Sequence, residues 1–109
     1  MMNLTLIAPK EEYQYRWEKC RSFLKKFAPH SEGVFLFSRL NIYYFSGSFV
    51  SGILWLPVQG DPILLCRRGF ERAQIESPLK DIFSFTSYRD IARIFNDLGK
   101  PLPDTPGMR

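Results

Sequence analysis

Two apolar runs joined by a tight turn constrain this chain more than anything else in it. From Val50 to Pro57 both alternating sets are apolar, with Val50, Leu54 and Leu56 on one and Phe49, Ile53 and Trp55 on the other. A strand with one face in water keeps one set polar, so this strand has to be covered on both sides. Pro62 to Cys66 repeats the pattern through Ile63, Leu64 and Leu65. Gln59-Gly60-Asp61 lies between, and Gly60 is free to take positive φ in the turn. Strands joined by so short a loop are antiparallel. A central hairpin buried on both faces requires helices above and below it.

The flanking sequence supplies those helices. Pro9 suits the first turn of a helix, and Glu11 and Glu12 suit its positive end. Tyr13, Trp17, Cys20, Leu24 and Phe27 then form one helical stripe, and Ala28-Pro29 ends it. Gly33 to Ser38, with Val34, Phe35, Leu36 and Phe37 unbroken, reads as a buried strand. Asn41 reads as the N-cap of a single turn over Ile42 to Ser46, stopped by Gly47. Beyond the hairpin, Gly69 to Ser77 is helical with Phe70, Ala73 and Gln74 on one face, and Ile82 to Phe85 is a short strand. Ser87 and Asp90 make a capping box for a last helix with Tyr88, Ile91, Ala92, Phe95 and Leu98 as its apolar face. The expected class is α/β: a mixed sheet with a central antiparallel hairpin and helices on both faces.

At 109 residues the chain holds one domain at most. Residues 1–99 are expected to form it. Residues 100–109 hold three prolines and read as a linker or a truncated tail. The net charge of +4 is spread over several segments, which fits solvated helix faces better than a nucleic-acid stripe. Cys20 and Cys66 stand far apart with no CxxC, so zinc is not indicated, and with no secretory signal both are expected as reduced thiols in a cytoplasmic protein. Leu4 to Ala8 is too short to cross a membrane.

The residues themselves present no active site. The acids are scattered, and His30 is the sole histidine, so neither a metal cluster nor a nucleophile with its base can be assembled. Gly47 and Gly52 fit neither G-x-G-x-x-G nor a P-loop. Arg67 and Arg68 follow a strand end, where ligands approach α/β sheets or where a strand simply meets water. Tyr43, Tyr44, Phe45 and Phe49 can pack or stack on a ligand. A nucleotide- or nucleic-acid-binding module and a dimerising pseudo-enzyme subunit both stay open as alternatives.

N-I-Y-Y-F-S-G at Asn41 to Gly47, the hairpin, and L-L-C-R-R-G-F-E-R-A at Leu64 to Ala73 together resemble the amino-terminal domain of the creatinase/prolidase/Xaa-Pro aminopeptidase family. R-W-E-K-C-R-S-F-L-K-K at Arg16 to Lys26 is similar to that family's usual opening helix. Phe45 and Ser46 replace the family's common Leu and Thr. The resemblance implies a non-catalytic domain that serves oligomerisation and narrows access to a metallopeptidase active site. It implies two divalent metals (Mn, Co or Zn) in a separate catalytic domain and none in this chain. It implies as partners a second copy, that catalytic domain and short proline-containing peptides, with no nucleic acid and no membrane. The substrate-proximal positions it implies are Ser46, Gly47, Ser48, Phe49, Arg67 and Arg68.

Overall fold

The computed structural model describes residues 9–100, and all of the expected linker but Lys100 lies outside them. Along the chain run α1 (Lys10–Phe27), β1 (Gly33–Leu36), α2 (Arg39–Ser46), β2 (Ser51–Pro57), β3 (Ile63–Arg68), α3 (Phe70–Glu76), β4 (Asp81–Ser84) and α4 (Tyr88–Asp97). The four strands form one sheet in the order β1-β2-β3-β4. β1 pairs antiparallel with β2, β2 antiparallel with β3, and β3 parallel with β4. The expected mixed sheet around a central antiparallel hairpin is present. Gly60 turns the hairpin at φ 100°. Arg21 ties that turn to α1: its Nε donates to Pro57 O at 2.8 Å, and its Nη2 donates to Gly60 O.

Both faces of β2 are covered, as its double apolar alternation requires. On one face Leu54, Leu56, Leu64 and Cys66 pack with Tyr13 and Trp17 of α1, Ile42 of α2 and Ala73 of α3. On the other, Ile53, Trp55, Ile63 and Leu65 pack with Ile91, Ile94 and Phe95 of α4. The layering is therefore three helices, sheet, one helix. Trp17 adds direction as well as area, because its Nε1–H donates to Phe45 O at 2.7 Å and fixes α2 against α1. Arg16 reinforces that junction by donating to Tyr44 O at 2.7 Å with its guanidinium over the Tyr44 ring.

Several local expectations are corrected. α2 starts at Arg39, and its cap is Ser38, whose hydroxyl accepts from Asn41 N at 3.4 Å. Asn41 sits exposed inside the helix. Serine and asparagine cap about equally well, and the end of β1 decides between them by placing Ser38 at the extended-to-helical transition. The α1 stripe is buried only in its first half. Phe27 is 63% exposed and stacks on Phe23 at 4.5 Å, because α1 runs on past the part of the face that packs. Phe37 lies beyond the end of β1 and is exposed. In α4 Ile94 is buried, while Tyr88 and Ala92 face outward. Gln74 in α3 is exposed.

Candidate functional site

The expected substrate-proximal residues all lie at one end of the sheet, where α2 hands over to β2 and β3 ends. Ser46 closes α2, and Gly47 reverses the chain at φ 83°, with its N–H donating to Tyr43 O at 2.8 Å. A Cβ at Gly47 would lie 2.9 Å from Tyr13 Oη, so glycine is needed both for φ and for space. Ser46 and Ser48 are fully buried. The Ser46 hydroxyl accepts from Ser48 N at 3.2 Å and faces Ser48 O at 3.3 Å. The Ser48 hydroxyl donates to Glu76 Oε1 at 2.9 Å, and Arg72 Nε lies 3.5 Å from the other Glu76 oxygen. Both hydroxyls are thus bonded inside the protein, and they set the path of the loop.

Phe49, Arg67 and Arg68 are the exposed members of the set. Phe49 meets Tyr43 edge-on at 6.1 Å, and the Arg39 guanidinium lies 5.5 Å from its ring centre. The sheet register shifts between Ser51 and Gly52, so that Gly52 opposes Cys66 while Ser51 opposes Arg68. A Cβ at Gly52 would fall 2.0 Å from Leu65 O, which only glycine avoids. Such bulges re-aim side chains. Here Arg67 points over the Phe85 ring at 4.9 Å and lies 3.5 Å from Thr86 O. Arg68 has neither an ion pair nor a side-chain hydrogen bond among the described residues. An exposed aromatic ring such as Phe49 is suited to an apolar side chain, and a guanidinium without an internal partner to a carboxylate.

Bond-making chemistry has less to work with. Among the described residues no group of three or more His, Cys, Asp or Glu side chains could hold a metal ion. Burial pushes the Cys66 thiol up to about 11, and burial also raises Cys20, so neither is a ready thiolate. His30 is exposed in the loop after α1. The lowered acid is Asp90, held below its usual range mainly by the Thr86 and Ser87 backbone N–H groups, and its role is to cap α4. No helix among the described residues is long and apolar enough to cross a membrane.

Sequence reasoning missed Glu76, Arg39 and Phe85. Glu76 stands 28 residues from its partner Ser48, and no local pattern announces that contact. The spacing of Arg72 and Glu76 was the one available signal, and it marks only an ion pair along a helix.

Comparison with known proteins gives a consistent picture. Residues 16–108 match the creatinase/prolidase N-terminal domain family. No curated protein matches the chain. Among solved structures the fold resembles an aminopeptidase P (Xaa-Pro aminopeptidase) from Streptococcus thermophilus, with a TM-score of 0.61 and 16% identity over 81% of this chain and 69% of that one. It also resembles a proline dipeptidase from Streptococcus agalactiae 2603V, with a TM-score of 0.63 and 19% identity over 73% of this chain and 66% of that one. At such identities the likeness is one of fold.

Proposed function

Because the chain belongs to the creatinase/prolidase N-terminal domain family, we propose that it is the non-catalytic partner of a metal-dependent Xaa-Pro peptidase domain. In this reading it contributes to assembly and to the walls through which short proline-containing peptides approach. Ser46, Gly47 and Ser48 shape the loop, while Phe49, Arg67 and Arg68 face the peptide. Two divalent cations (Mn, Co or Zn) belong to the catalytic domain. Among the described residues no cluster of ligands converges to hold them. The observation that carries the reading is the family match over residues 16–108, supported by the fold shared with the two streptococcal structures.

The test is an amide-resonance titration of the ¹⁵N-labelled chain with an Xaa-Pro dipeptide. Shifts concentrated at Phe49 to Gly52 and Arg67 to Gly69, and diminished in an Arg68→Ala variant, are expected. Shifts confined to other surfaces, or none at millimolar peptide, would overturn the assignment of this end of the sheet to substrate.

A further inference from the structure

The loop from Gly47 to Val50 is backed by α3 at both of its ends and in its middle. At the N-cap of α3, a Cβ on Gly69 would fall 2.8 Å from Val50 Cγ1. Just past the end of α3, Pro78 Cδ lies 3.5 Å from where a Cβ on Gly47 would stand. Between the two, Glu76, the last residue of α3, accepts from the Ser48 hydroxyl at 2.9 Å. The loop has no acceptor of its own for that hydroxyl. Ser46 Oγ accepts from Ser48 N at 3.2 Å and donates to Ser48 O at 3.3 Å, so its hydrogen is already placed. A fully buried hydroxyl without a partner is costly, and Glu76 is the partner that Ser48 has among the described residues. α3 can serve as a backing because it is itself anchored. Ala73 is fully buried in the core, and Ser77 N donates to Ala73 O at 2.9 Å to close the helix end.

Ser48 and Val50 are both buried, which leaves Phe49 between them facing out. Its ring meets Tyr43 edge-on at 6.1 Å, and both rings are exposed. The backbone that carries Phe49 is therefore held from behind, by α3, rather than from the surface. We infer that Glu76 is a positioning residue for peptide binding: its hydrogen bond to Ser48 holds the loop so that the Phe49 ring stands beside Tyr43 as a preformed apolar wall for a proline-containing peptide. The inference deepens the substrate-facing reading proposed above and rests on it. Glu76 touches no peptide in this arrangement and acts through Ser48 alone. What the loop requires from it is an acceptor oxygen at the right reach. Glutamine keeps a carbonyl oxygen at the same reach without the charge, whereas aspartate keeps the charge on a side chain one methylene shorter. A role through charge, as in the pairing with Arg72 at 3.5 Å, ranks aspartate above glutamine, and a role through the hydrogen bond reverses that order.

Amide and ring resonances of the isotope-labelled full chain test this, first free and then titrated with the dipeptide Leu-Pro. The wild type is expected to show a nuclear Overhauser contact between the Tyr43 and Phe49 rings. Glu76→Gln is expected to keep that contact and to bind within about twofold of wild type, because the acceptor is retained. Glu76→Ala and Glu76→Asp are each expected to lose the contact and to bind about fivefold more weakly, the cost of ordering one loosened side chain on binding. Shifts at Arg67 to Gly69 are expected to persist in all of them. The ranking of Gln against Asp does not depend on how stable Glu76→Ala is. Aspartate ranking with wild type and glutamine with alanine would overturn the inference, and so would equal affinities with the ring contact intact throughout. A wild type that binds no peptide would overturn the substrate-facing reading instead, and the ring contact in the free variants then decides whether Glu76 places Phe49.

Discussion

Cutting the Ser48 hydroxyl is the sharpest way to ask whether the loop before β2 is held from inside the protein. In Ser48→Ala the Glu76 carboxylate loses a 2.9 Å hydrogen bond. Hydrogen bonds to charged groups contribute about 1.5–3 kcal/mol. The Glu76 side chain is 42% exposed, so water partly replaces the lost donor, and about 1.5 kcal/mol is expected. Glu76→Ala does the reverse. It strands a hydroxyl at a position with no exposure, for about 2 kcal/mol. The double variant should cost little more than the worse single change, which leaves a coupling of about 1–1.5 kcal/mol. Urea unfolding followed by tryptophan fluorescence reads all three. A melting shift of roughly 5–10 °C should accompany Ser48→Ala. Strict additivity, or a Ser48→Ala variant as stable as wild type, would refute the idea that this contact positions the loop.

Two other changes follow from the same geometry. Gly52→Ala forces a methyl against the Leu65 carbonyl at the register shift, and a loss of about 3 kcal/mol in chemical denaturation is expected, near the upper end for overpacking; a loss under about 0.5 kcal/mol would show that the strands part easily there. Asp90 has a folded pKa below its unfolded value of about 3.9, so its stabilisation is present above that pH and fades as pH falls through the folded value; the stability gap between wild type and Asp90→Asn should narrow below pH 4, and a gap independent of pH would contradict the capping role.

What could be read from the sequence was whatever short-range patterns encode. The double alternation of Val50 to Pro57 demanded cover on both faces, and two clusters provide it. Gly47 and Gly60 were legible because positive φ at a turn or a helix end leaves few other choices. The misreadings arose where two local solutions were nearly equal. Ser38 and Asn41 are both good caps, and only the length of β1 selects the first. Phe27 continues a helical stripe, yet periodicity cannot say where the sheet beneath a helix stops. At the candidate site the six residues singled out in the sequence come together at one end of the sheet, but the sequence could not separate its buried members from its exposed ones. Ser46 and Ser48 look like available hydroxyls, yet Ser46 bonds the Ser48 backbone and the packing of α3 brings Glu76 to Ser48. The aim of Arg67 depends on a register shift opposite Gly52, which is a property of two strands rather than one.

We propose that this chain shapes and assembles a peptidase and does not itself hydrolyse peptides. The direct measurement is release of the N-terminal amino acid from Xaa-Pro dipeptides by the purified chain, with Mn²⁺ or Co²⁺ added. No release above the metal-only blank is expected. Turnover that scales with protein concentration and disappears with a chelator would contradict it.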